Sequence, residues 1–397
     1  MQPLALTHMC IASTIGFGQD ATLSALESGH SGLSPCQFET VTLPTWVGEI
    51  EAAGNFRLPD AYADFECRNN RLAEIALSQD GFANAVASAI ERYGAARIGL
   101  FVGTSTSGIL QTEQAMRVRD PVTGQLPRAF RYQQTHNTGS LAAYLVARLR
   151  VAGPAFVISC ACASSAKAFG NASRMIAAGL CDAAIVGGAD SLCLTTLYGF
   201  HALGLNASGP CRPFDIARDG ISIGEAAGFV LLERPPAHDD TNSVHLLGIG
   251  ESNDAHHMSS PHPEGAGARL AMERALNNAG LKPSNIDYIN LHGTATRVGD
   301  TAEDLAVFGV FGDAPARGST KGHTGHTLGA AGIVEAVISA LAIQNNLLPG
   351  SPHTENIDPA FRGRYQLASE RARVDRVLSN SFGFGGSNCS LILGRPS

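Results

Sequence analysis

Four short stretches of this chain concentrate the residue types that do covalent chemistry. Cys162 lies in Ser159-Cys160-Ala161-Cys162-Ala163-Ser164-Ser165, and His292 opens His292-Gly293-Thr294-Ala295-Thr296. Lys321 and His326 share Ser319-Thr320-Lys321-Gly322-His323-Thr324-Gly325-His326. The fourth stretch is Asn380-Ser381-Phe382-Gly383-Phe384-Gly385-Gly386. Together they hold a thiol, two imidazoles, an ammonium group and a glycine-rich loop. That is an inventory for acyl transfer through a thioester.

Cys162 follows the apolar run Phe156-Val157-Ile158 and precedes small residues of helical character. A thiol at a strand-to-helix turn faces free backbone N–H groups and the positive end of a helix dipole, and both favour thiolate. If strand alternation persists, Cys160 shares its face, so spacing alone does not separate the two thiols. The small residues after Cys162 favour it, and Cys160 suits the usual role of a buried apolar residue. A Cys-x-Cys metal site has no second cysteine pair nearby.

His292 ends the strand-like Tyr288–Leu291 run, whereas Lys321 and His326 lie in a Gly/Ser/Thr-rich loop before an apolar helix. Two neutral imidazoles donating to one oxygen stabilise an enolate or oxyanion, and a nearby ammonium biases their tautomers. His323-x-x-His326 lacks a convincing third ligand, so no metal is expected. Gly383-Phe384-Gly385-Gly386 is no dinucleotide fingerprint; it reads as an N–H donor loop or mobile gate. Gly220-Ile221-Ser222-Ile223-Gly224 matches the serine-hydrolase elbow in pattern only, because it follows a charged turn instead of a strand.

The elements that must position these groups alternate apolar β-like runs with Ala-rich helical stretches, the pattern of parallel sheets covered by helices. In the first half the strands are read at 97–103, 155–160, 183–187 and 228–232, and the helices at 70–93, 138–151, 164–178 and 198–203. Arg234-Pro235-Pro236-Ala237-His238-Asp239-Asp240 reads as a connector between domains 1–240 and 241–397. The second half restarts with a strand at 244–250, a helix at 266–279 and a strand at 288–291. Helices at 301–308 and 330–343 follow, then strands at 377–381 and 389–393.

The 397 residues are 44% hydrophobic and only 16% charged, with 44 glycines, which suits a dense α/β enzyme. A net charge of −7 argues against general nucleic-acid binding. Nine irregularly spaced cysteines and no signal-like N-terminus suggest a reducing, cytoplasmic setting. The longest apolar run, Gly332–Leu348, is interrupted by Glu335 and Gln344, so it reads as a buried helix and not a membrane span.

These residues resemble the β-ketoacyl-acyl-carrier-protein synthases, elongating condensing enzymes of the thiolase superfamily. The resemblance extends through Cys211-Arg212-Pro213-Phe214-Asp215, Arg218-Asp219-Gly220, Gly224-Glu225-Ala226-Ala227-Gly228, Val186–Asp190 and the Asp254–Pro263 loop. It implies a thiolase-like α/β fold of two similar βαβαβ halves in an α-β-α-β-α core. It also implies decarboxylative condensation of an acyl group with a malonyl-acyl-carrier-protein, and no cofactor. Cys162 would carry the acyl group, and His292 and His326 would stabilise the enolate. Lys321 would pair with Glu303, and the N–H groups of Cys162 and Phe384 would form the oxyanion hole. Phe384 would gate the pocket with Phe382 behind it. Thr104, Ser105, Thr106, Ser107, Ile109, Thr294, Thr296, Gly383 and Gly385 would contact substrate.

The implied partners are an acyl carrier protein and a second ketosynthase-fold subunit, identical or paralogous. Pairing would run through Ala155–Cys160, with Thr135–Val151 in the same contact. Carrier docking would use Arg68 and Arg71, or Arg128 and Arg131 around Phe130. A non-catalytic chain-length subunit would lack the nucleophile, and a degradative thiolase would need a second catalytic cysteine, for which Cys389 is poorly placed. Departures include an opening Leu4-Ala5-Leu6 without the family's usual basic, β-branched strand. Ala295 stands for a serine, and Arg297 for a common proline. The polar loop Thr104–Ser107 would place hydroxyls against the acyl chain and so favour unsaturated or conjugated chains over saturated ones.

Overall fold

The computed structural model describes residues 1–236 and 242–396. Of the connector read at 234–240, residues 237–240 lie outside the described residues, as does the 240/241 domain boundary. The first half contributes β1 (Leu4–Ser13), β2 (Ile98–Gly103), β3 (Ala155–Ile158), β4 (Ala183–Asp190) and β5 (Ala226–Glu233). The second contributes β6 (His245–Asn253), β7 (Tyr288–Asn290), β8 (Ala316–Gly318), β9 (Arg376–Gly383) and β10 (Ser387–Gly394).

The first five strands lie side by side as β3-β2-β4-β5-β1, and the second five as β8-β7-β9-β10-β6. Each half has the same order, third-second-fourth-fifth-first, and the same pairing senses. Strands two, three and four are mutually parallel, and the fifth runs antiparallel to both its neighbours. The two halves join through a short antiparallel contact, Leu4↔Leu246 and Ala5↔His245. The duplication suggested by element order is thus present in topology, without a residue-level repeat.

Two helices lie between the halves: α5 (Ser164–Ala177) and α9 (Ala331–Asn345). Both touch strands of both halves and each other. Every α9 residue from Ala331 to Ile343 is buried, which is why its sequence is apolar on all sides. The span Leu328–Asn345 is long and apolar enough to cross a membrane, yet 89% of it is buried inside the protein. Gly332 allows close crossing, since a Cβ there would sit 2.5 Å from Ala166 N. Helices α1 (Arg68–Leu77), α2 (Phe82–Tyr93) and α4 (Ser140–Leu149) cover the first sheet's outer face, where Leu72, Phe82, Tyr144 and Leu145 are buried. Helices α7 (Ala266–Ala279) and α8 (Arg297–Phe311) cover the second. Two shorter helices, α3 (Ile109–Arg117) and α6 (Leu194–Ala202), stand together beside the site.

Several sequence expectations are corrected. The helix read over 70–93 is two helices, because Asp80 and Gly81 take φ of 54° and 68° and stop the first. Asp80 Oδ1 instead accepts Gln19 N at 3.1 Å. The opening strand is present over ten residues and pairs with β5 from Ala5↔Glu233 to Ala12↔Ala227, with a bulge between Leu6 and His8. Burial supplies what β-branching does not, since all but Thr7 and His8 are buried. Strand β3 ends at Ile158, so Cys160 lies beyond it.

Candidate active site

The nucleophile elbow follows from local geometry. After β3 the chain turns through Ala161, whose φ of 52° is left-handed, and enters α5 at Ser164. Ser164 ties the turn, its Oγ accepting Cys160 N at 2.9 Å and donating to Ala161 O at 2.5 Å. Cys162 faces the central cavity, whereas Cys160 does not line it. The structure separates the two thiols that spacing left together. Gly383 makes room for this elbow: a Cβ there would lie 3.1 Å from Cys160 O and 3.2 Å from Cys162 N.

Around Cys162 the predicted groups converge. His326 Nε2 stands 2.9 Å from Cys162 Sγ. The His292 ring lies 5.1 Å from that of His326, nearly perpendicular. Lys321 Nζ is 3.3 Å from His292 Nδ1 and also donates to His292 O. The N–H groups of Phe384 and Cys162 both point at the sulfur. Phe382 packs 6.0 Å from His292, and Phe384 packs 5.5 Å from Phe200. Gly385 holds the glycine loop to its neighbour, its N donating to Met258 O at 2.7 Å.

Burial dominates the electrostatics. It pushes the Cys162 thiol up to about 12, against the pull of the Lys321 ammonium and the two N–H groups; Asp190 adds to the rise. The expectation of a turn-stabilised thiolate is therefore corrected: in this closed site the thiol is the resting form. Burial, then Lys321, holds both histidines well below their ordinary value, so both are neutral, and His326 further depresses His292. With an ammonium donating to His292 Nδ1, the imidazole carries its proton on Nε2.

Cys162, His292 and His326 offer donor atoms within 4.8 Å of one another, a set that could hold a soft cation. The adjoining Lys321 charge opposes one. His323 does not join them, because its Nδ1 turns to His30 O at 2.6 Å.

The Lys321–Glu303 pairing is overturned. Lys321 pairs with Glu335 of α9. Glu303 instead accepts His292 N and Gly293 N, each at 2.8 Å, and Asn380 Nδ2 at 3.1 Å. It thereby shapes the turn bearing His292. Burial raises the Glu335 carboxyl to about 7 against the opposing Lys321 charge. A lone acid inside an otherwise apolar helix was the signal, since a buried carboxylate requires a partner.

The chain matches the Beta-ketoacyl synthase N-terminal domain over residues 6–238 and the C-terminal domain over 244–355. It is 32% identical to 3-oxoacyl-(acyl-carrier-protein) synthase 2 of Coxiella burnetii over 99% of this chain and 98% of that one. The chain belongs to the β-ketoacyl synthase family. A mitochondrial 3-oxoacyl-(acyl-carrier-protein) synthase of Arabidopsis thaliana is 42% identical over 60% of this chain, and the match spans 56% of that relative's length. A solved complex of the ketosynthase ApeO with its chain length factor ApeC from Xenorhabdus doucetiae superposes with a TM-score of 0.88. The identity there is 36%, covering 100% of this chain and 98% of that one.

The other expected substrate contacts divide. Thr294, Thr296 and Gly383 line the cavity of about 350 Å³. Thr104, Ser105, Thr106 and Ser107 do not. Asp190, at the end of β4, accepts Thr104 Oγ1 at 2.7 Å, Thr106 Oγ1 at 2.8 Å and the Ser105 hydroxyl. It also accepts Ser105 N and Thr106 N at 2.8 Å and Gly329 N at 2.5 Å. Ser107 Oγ donates to Thr135 O and Asn137 O at 3.1 and 3.0 Å. These hydroxyls are committed to the protein interior, which removes the argument for a conjugated chain. Ile109 packs beside the cavity in a cluster with Leu110, Leu197 and Ile221, and Gly385 lies outside the lining.

The docking segment at Arg68 and Arg71 is also overturned. Arg68 is only 5% exposed and bonds Glu225 through both oxygens, at 2.6 and 2.8 Å. Arg71 pairs with Glu66 and donates to Ala53 O and Gly54 O. These are interior struts. Arg128 and Arg131 are exposed, although Arg131 also approaches Asp64 at 3.7 Å.

Proposed function

We propose that the chain condenses an acyl group held on Cys162 with a malonyl-acyl-carrier-protein, releasing CO2 and a 3-oxoacyl-acyl-carrier-protein. The carrying observation is the convergence of a thiol and two neutral imidazoles in the lining of one cavity, with an ammonium buried behind His292. In the first step Cys162 Sγ attacks the carrier thioester; the carbon–sulfur bond to the carrier breaks, and the thiol proton ends on the departing sulfur, while His326 keeps its own proton on Nε2, 2.9 Å from Cys162 Sγ. In the second, the malonyl thioester loses CO2, and its enolate oxygen accepts the Nε2 protons of His292 and His326 as hydrogen bonds. The enolate carbon attacks the Cys162 thioester. The resulting oxyanion accepts from the N–H groups of Cys162 and Phe384 before Cys162 is expelled and reprotonated. Lys321 holds the His292 tautomer, and Glu335 neutralises Lys321.

The exposed Arg128–Arg131 segment is the surviving carrier-docking surface. Strand β3 is the outermost strand of its half, with Phe156 half exposed, and is the pairing edge for a second ketosynthase-fold subunit. Full-length identity is higher to the ApeO–ApeC complex, at 36%, than to the Coxiella synthase, at 32%. That favours a specialised polyene- or polyketide-type pathway with a paralogous partner over housekeeping fatty-acid elongation. Nine free thiols support a cytoplasmic location. Incubation with an acyl donor and malonyl carrier, read by mass spectrometry, tests the reading. A 3-oxoacyl carrier two carbons longer supports it, and unchanged substrates contradict it.

A further inference from the structure

We infer that Arg297 binds the phosphodiester of the carrier's pantetheine arm at the mouth of the active-site cavity. This rests on the condensing reading and adds the part of the substrate recognised at the rim. The cavity measures about 350 Å³ and Cys162 lies buried at its floor. Only an extended arm can enter; the carrier domain stays outside. The arm's anionic phosphodiester must then come to rest at the mouth.

Among the described residues, Arg297 is the only basic side chain that lines this cavity, apart from the catalytic imidazoles. The other charged lining residues are Asp219, Asp254, Asp300 and Glu303, all acidic. Without Arg297 every charged side chain in the lining would be acidic. Arg297 and Val298 are exposed, whereas Ala295 and Asp300 on either side are buried, which puts Arg297 on the rim. Thr294 and Thr296, their hydroxyls 3.0 Å apart, lie in the lining between it and His292.

The guanidinium is also uncommitted. Among the described residues it makes no side-chain hydrogen bond or ion pair. Its charge is felt at Asp358, but that carboxylate is already paired with Arg218 at 2.8 Å. A planar fork of five donors is thus free at the one place the phosphodiester must pass.

The test compares malonyl-phosphopantetheine with malonyl-pantetheine, which lacks the phosphate, on acyl-loaded enzyme. Arg297→Gln should raise KM for the phosphorylated substrate about tenfold, as for a solvent-facing charged contact, with kcat within about twofold. KM for malonyl-pantetheine should not move, and Arg297→Lys should recover part of the loss. Equal effects on both substrates, or no effect on either, would overturn the assignment. Wild-type enzyme that condenses neither substrate would overturn the condensing reading, and this assignment with it.

Discussion

Replacing Glu335 by Gln isolates the pairing that the structure reassigns. Lys321 is 1% exposed and Glu335 3%, so the variant leaves an ammonium buried beside a neutral amide. Removing one partner of a buried pair costs about 3–5 kcal/mol, which urea denaturation would register directly. The ammonium donates to His292 Nδ1 at 3.3 Å, so its displacement releases the tautomer that aims Nε2–H at the enolate. Loss of one donor of an oxyanion-type pair lowers rate by roughly 10²–10³. Malonyl decarboxylation should fall by that factor, while acyl loading of Cys162 falls far less. The double variant Lys321→Met with Glu335→Met should recover much of the stability, because neither charge is then buried, and none of the decarboxylation. Glu303→Gln should act differently: its amide can accept only one of the two N–H groups now bound, so the His292 turn loosens with Lys321 still paired. Unchanged decarboxylation in Glu335→Gln, with Glu303→Gln alone reproducing the loss, would refute the reasoning.

Two further outcomes follow from the same geometry. The Cys162 thiol is pushed up to about 12, so its alkylation rate should climb with pH across 7–10 without a plateau; Lys321→Ala should slow it at each pH. A plateau near pH 8 would show a thiolate already favoured at neutral pH. Phe156→Asp on the outermost strand should abolish subunit pairing in light scattering at micromolar concentration. A variant that stays dimeric would place the interface elsewhere.

What was legible in the sequence was the chemistry and the alternation of elements. Cys162, His292, Lys321 and His326 stand in short motifs whose neighbours are small, and small neighbours are what a crowded elbow requires. Helix α7 was read to the residue, because Gly265 and Gly280 bracket it with left-handed caps. What failed were partners that lie on other elements of the fold. Glu335 lies only 14 positions after Lys321 but inside a helix read as apolar, and the family resemblance pointed to Glu303 instead. The hydroxyls of residues 104–106 were read as facing substrate, whereas Asp190, more than 80 positions on, is their acceptor. Arg68 looked like surface charge because nothing local announced Glu225, 157 residues away. Contacts of that kind are created by the fold, not by neighbouring residues.

The most direct test of the central claim is peptide mapping of the protein after exposure to an acyl carrier, followed by a chase with isotopically labelled malonyl carrier. The acyl mass should reside on the peptide bearing Cys162 and vanish in the chase as labelled 3-oxoacyl carrier and CO2 emerge together. Acyl mass on Cys160, or discharge to free acid without a carbon–carbon bond, would contradict it.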